Sequence, residues 1–89
     1  MFNFFKLNYN KTIKELEKEI KTLTAKRKSY QNWAKQIRDE IAYYTIPVYL
    51  RKHDCTTLYI QLNGYEEKIK EFTKEIEAKT ARIERLKNL

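Results

Sequence analysis

The sequence predicts a mainly α-helical fold, an antiparallel coiled-coil hairpin in a single domain. Two long segments repeat apolar residues at spacings of three and four, one short stretch between them breaks that rhythm, and the chain holds one Gly and one Pro. A chain of 89 residues that is 35% charged and 42% hydrophobic has the composition of long charged helices and lies far from that of a disordered segment.

The first helix is expected over about residues 11–45. Ile13, Leu16, Ile20, Leu23, Arg27, Tyr30, Ala34, Ile37, Ile41 and Tyr44 keep a seven-residue a/d register with one charged member. Thr12 and Glu15 stand three apart, the spacing of a capping box, with Asn10 as a rival cap. Pro47 disfavours helix at Ile46 and cannot continue the hydrogen-bond ladder itself, which ends the helix near Tyr44. Residues 1–10 form an apolar arm whose Phe2, Phe4, Phe5 and Leu7 either fold back over the seam or dock on another chain.

The second helix is expected over about 63–89, with Tyr65, Ile69, Phe72, Ile76, Lys79, Ile83 and Leu86 in the same register. Asn63 stands three residues before Glu66, and Gly64 costs little at a helix start. Between the helices, Ile46, Val48 and Leu50 and then Leu58, Ile60 and Leu62 alternate with more polar neighbours, the period of a strand. Residues 46–62 are therefore expected to form a short β-hairpin tip turning about Asp54. The rival arrangement extends the second helix back to Cys55 or Thr56, which leaves Ile60 facing solvent and Gly64 inside a helix.

A helix, two strands and a helix on a coiled-coil stem is similar in layout to a beta-type prefoldin subunit, although no residue motif carries the likeness and these arms are shorter. That likeness implies an oligomeric chaperone that holds unfolded clients.

Little in the chain points to chemistry. His53, Asp54 and Cys55 are adjacent, but neighbours on an extended or turning chain direct their side chains apart, and no Gly-rich turn supplies an oxyanion hole. One His, one Cys and one Asp without pair spacing do not make a metal site. The chain is expected to be no enzyme and to carry no cofactor, metal or small-molecule substrate. One Cys excludes an internal disulfide, and the N-terminus reads as neither a signal peptide nor a membrane span, so a cytoplasmic protein is expected. Fourteen Lys against five Arg, with abundant Ile, Asn, Tyr and Phe, suit the coding of an AT-rich genome such as a low-GC bacterium or its phage. In a phage the site of action would be the host cytoplasm.

Partners are expected instead. The formal charge of +7 favours acidic ones. Residues 21–38 hold Lys21, Lys26, Arg27, Lys28, Lys35 and Arg38 and no acid, with Lys21, Lys28 and Lys35 seven apart on one helical stripe beside Gln31 and Trp33. Such a stripe suits phosphate contacts with a base stacked on the indole, or an acidic protein surface. It equally suits a solvated helix face whose charges meet Glu66, Glu67, Glu71, Glu75 and Glu77 across the hairpin. Tyr30, Tyr44, Tyr65 and Phe72 are d-position core candidates. Trp33, Tyr43, Tyr49 and Tyr59 fall off the seam and, with Phe4 and Phe5, are the candidates for a protein contact. The function expected is a non-catalytic interaction module that binds a protein or assembles copies of itself, possible roles in a mobile element being inhibitor or adaptor of a host complex. The alternatives are a nucleic-acid-binding accessory protein and the prefoldin-like holdase.

Overall fold

The computed structural model describes residues 2–45 and 54–89, with side chains from Tyr9 onward. Two helices make up the described chain: α1, Phe2–Tyr44, and α2, Thr56–Lys87. They run antiparallel, because Glu19 meets Lys79, Arg27 meets Thr73 and Arg38 meets Glu66. The result is a rod of 72 × 15 × 15 Å with a radius of gyration of 20.3 Å, where a compact domain of this length would have about 12 Å.

Both helices begin earlier in the chain than the sequence patterns suggest. The apolar arm expected over residues 1–10 is helical from Phe2, so the Thr12 and Glu15 motif lies inside α1 and does not start it. No Gly or Pro interrupts residues 2–12, and once a helix is nucleated each further residue adds a hydrogen bond at little cost. With 43 residues α1 is about 65 Å long, against about 48 Å for the 32 residues of α2. The pairing of Ile13 and Leu16 with Ile83 sets Lys87 beside the region of Lys11, so residues 2–10 extend past the end of α2.

The second half of the expected β-hairpin tip is helix. Residues 57–62 belong to α2, and no strand occurs among the described residues. Residues 46–53, which hold the first half of that tip and Tyr49, lie outside the described residues. The start of α2 is fixed by Asp54, whose carboxylate accepts hydrogen bonds from the Thr56 amide at 2.9 Å and from the Thr56 hydroxyl. Leu58 then falls four residues before Leu62, and Leu62 three before Tyr65, so both continue the seam and are half-buried, whereas Ile60 is 66% exposed. The two-strand layout that resembled prefoldin loses its second strand with this assignment.

The core is a thin seam. Ile13, Leu16 and Ile83 are buried near the open end, with Ile20 and Leu86 packed on them, and Ala34 and Ile41 are buried further along. Most other seam positions are half-buried, because two helices alone can cover each other on only one stripe.

Gly64 lies within α2, its φ is not positive, and a Cβ built on it would meet nothing within 4 Å. Gly64→Ala should therefore stabilise the fold by about 0.5–1 kcal/mol, raising Tm by a few degrees in thermal unfolding followed by circular dichroism. An unchanged or lower Tm would place Gly64 at a helix boundary instead.

Candidate functional site

Two residues looked like flaws in the sequence pattern, the charged Arg27 and Lys79 at seam positions. Each is answered from the facing helix. Arg27 Nη1 donates to Thr73 Oγ1 at 3.2 Å, and that hydroxyl donates to the Ile69 carbonyl at 2.8 Å. Lys79 Nζ donates to Glu19 Oε2 at 2.9 Å. Both side chains spread long apolar stems over the seam and place their charge at its margin. The pairs lie between the two apolar ends and penalise any slip of one helix along the other, because a slip would leave each polar head unpaired in the seam.

This geometry divides the six cations of residues 21–38. Arg27 is partly buried in the seam, and Arg38 Nη1 stands 3.7 Å from Glu66 Oε1. Lys21, Lys26, Lys28 and Lys35 are exposed. The stripe expected from the sequence is thus reduced to lysines. Lys21, Lys28 and Lys35 form a solvated face on the back of α1, Lys26 lies on the Trp33 side instead, and the face lacks the two arginines that would give it bidentate phosphate contacts.

The aromatic residues collect halfway along the rod. Tyr30 is the hub, with ring centroids 5.0 Å from Trp33, 5.9 Å from Tyr65 and 5.4 Å from Phe72; Trp33 and Tyr65 are 5.9 Å apart. These are edge-on and tilted contacts, each favourable beyond simple burial. Trp33 joins this cluster and is still 45% exposed, so one face of the indole packs and the rest looks outward. Tyr43, 51% exposed, lies 5.3 Å from Tyr44, and Tyr59 is 49% exposed near the same end. The structure therefore spreads the expected contact residues along the rod. Tyr49 and the side chains of Phe4 and Phe5 lie outside what is described.

The hairpin has two unlike sides. On one, Glu15, Glu19, Leu23, Glu75 and Lys79 border an open groove of about 490 Å³, and the register continues that side to Lys26 and Trp33. On the other, Gln31, Arg38, Glu66, Ile69 and Lys70 border a shallower depression of about 330 Å³, narrowed by the Arg38 and Glu66 pair. Helix hydroxyls are turned inward to the backbone: Thr22, Thr24, Ser29, Thr73 and Thr80 each donate to the carbonyl four residues earlier.

No group of three or more His, Cys, Asp and Glu could hold a metal among the described residues. Asp54 is engaged with Thr56, Cys55 is a half-buried free thiol, and His53 lies outside the described residues. No described helix is long and apolar enough to cross a membrane.

Two predictions follow from these contacts. Arg27→Glu removes the Thr73 bond and puts an acid in the seam, and should cost about 1–3 kcal/mol in urea unfolding, whereas Lys28→Glu should stay within about 0.5 kcal/mol of the parent. The Thr56 side-chain and backbone hydrogen bonds hold the Asp54 carboxyl below its ordinary 3.8. Because the folded state favours the charged carboxylate, its stabilisation is complete above that value and is lost as pH falls through the lower folded-state pKa. Amide exchange at Thr57 to Tyr59 should accelerate on acidification through that range, and Asp54→Ala should remove this pH dependence while leaving the exchange fast throughout.

No protein-family model matches the chain, and neither a curated protein nor a solved structure matches it.

Proposed function

We propose that this chain is a non-catalytic interaction module, an antiparallel coiled-coil hairpin that works by burying its aromatic side against another protein surface. The observation that carries the reading is the half-packed cluster of Tyr30, Trp33, Tyr65 and Phe72, whose indole is left 45% exposed. Trp and Tyr on a rigid element supply large contact area at small entropic cost, and they are enriched among the residues that dominate binding energy. Surface area points the same way. The chain exposes 7439 Å², where a compact monomer of its 10.9 kDa mass would expose about 5,600 Å². In a phage or other mobile element, such a module would act as an inhibitor or adaptor by occupying a host complex.

A second reading has one specific observation behind it. Lys21, Lys28 and Lys35 are exposed, carry no ion pair among the described residues and repeat every seven residues, which suits nonspecific contact with a nucleic-acid backbone.

A photo-crosslinking amino acid at position 33 should give protein adducts, while the same group at position 35 should not. Labelled random DNA and RNA, followed by fluorescence polarisation over a salt series, should show no tight binding. Tight binding whose log–log salt slope reaches several units, at about 0.9 per neutralised phosphate on duplex DNA, would instead favour the lysine stripe.

A further inference from the structure

The side of the hairpin that bears Trp33 differs in charge from the rest of the molecule. On that side stand Glu15, Lys18, Glu19, Lys26 and Glu40 from α1 and Lys68, Glu75, Lys79 and Arg82 from α2, four acids and five bases. A chain of formal charge +7 thus presents a nearly balanced face around its exposed indole, and most of its excess cations lie elsewhere. An acidic partner or a nucleic acid has nothing to gain from such a face. A surface with the same balanced pattern does.

The order of those charges identifies the occupant. The antiparallel register places Glu19 level with Arg82, Lys26 with Glu75 and Trp33 with Lys68, since Glu19 meets Lys79 and Arg27 meets Thr73 within the chain. Among the described residues Glu19 bonds Lys79 and Lys68 stands 3.5 Å from Glu71, whereas Lys26, Glu40, Glu75 and Arg82 make no ion pair, so these four charges are free to pair outward. We propose that a second copy of this chain covers the face, with the two hairpins parallel to each other and a twofold axis along their length. This deepens the reading of an interaction module and rests on it.

In that arrangement α1 of each copy lies against α2 of the other at the same level. Lys26 meets Glu75 of the second copy, Glu19 meets Arg82, and the indole of Trp33 lies against the Lys68 stem and ammonium of its neighbour, a cation–π geometry. A head-to-tail pair turned about the aromatic cluster would set α1 against α1, and would bring Glu19 level with Glu40. Like charges then disfavour the alternative.

The area is also adequate. The paired length of about 48 Å and the 15 Å width give a face of roughly 700 Å² per copy, close to the roughly 800 Å² per partner of a standard specific interface. Covering it removes less than half of the surface by which the chain exceeds a compact monomer. The parallel arrangement also brings both overhanging α1 starts, residues 2–10, to the same end of the four-helix bundle.

Three measurements on the full chain test this. Sedimentation equilibrium at micromolar concentrations should give twice the 10.9 kDa chain mass; the monomer mass up to about 1 mM overturns the proposal. A spin label on Cys55, the sole cysteine, should report a distance below about 30 Å between copies, because parallel hairpins place both labels at one end. A distance of about 50 Å would mean the head-to-tail pair and would also overturn it.

The third measurement uses charge exchange. Lys26→Glu and Glu75→Lys should each weaken self-association on the order of tenfold, while mixing the two variants should restore a mixed dimer of parental affinity. Variants that pair no better mixed than alone would show that the two side chains do not meet between copies, against the proposal. Should the chain prove monomeric, crosslinks from position 33 to other proteins would still uphold the broader binding reading; their absence as well would end both.

Discussion

Two helices packed side by side share one line of contact, and every other property of this protein depends on how little that line can hide. Ile13, Leu16 and Ile83 close the open end, Ala34 and Ile41 bring the backbones together further along, and the remaining seam residues keep part of their surface in water. A third layer would normally cover them. Its absence among the described residues accounts for the rod shape, the large accessible surface and the half-exposed aromatic cluster. The polar pairs matter within this thin seam more than their individual energies suggest. Arg27 with Thr73 and Lys79 with Glu19 are satisfied in one register only, so they define which α1 residues stand beside which α2 residues.

From that register the surface divides into faces of different chemistry. The back of α1 carries Lys21, Lys28 and Lys35, all exposed. One flank is narrowed by the Arg38 and Glu66 pair, and the other holds the larger groove and the indole between balanced charges. Positive charge and apolar area are therefore separated on this molecule, which matters for function. A nucleic-acid surface of the stacking kind needs cations around its aromatic platform, whereas here the cations most free to act lie on the back of the helix and the indole sits among pairs of opposite sign.

Helix content and the antiparallel hairpin were legible because ten positions in one segment and seven in the other keep the same spacing, a signal long enough to survive two charged exceptions. The tip was not legible for a specific reason. Leu58 and Leu62 are four residues apart, a separation that fits both the two-residue period of a strand and the turn of a helix. Only Ile60 between them separates the two readings, and a single exposed Ile is permitted in either. The decisive local feature was Asp54 two residues before Thr56, a polar turn pair that the symmetry of the apolar alternation obscured. Among the expected site residues, exposure of Trp33, Tyr43 and Tyr59 followed directly from their place off the seam. The departure of Arg27 and Arg38 from the basic stripe did not follow in the same way: the sequence offered five acids, Glu66 among them, as partners for the stripe, but which side chain the facing helix brings level with each arginine is set by the register.

A fold with so thin a seam ties stability to occupancy. Any surface that binds the folded hairpin and not the unfolded chain adds stability in proportion to the logarithm of its concentration over its dissociation constant. Where the hidden core is large, this addition is minor. Where five of the described residues are buried it is a substantial share of the whole, and covering Tyr30, Trp33, Tyr65 and Phe72 enlarges the core in the same step that forms the complex. The uncovered hairpin is then the state most open to local unfolding, beginning at the start of α1 that extends past the end of α2. Binding and folding in this molecule are therefore two readings of one quantity, the area of the aromatic side removed from water.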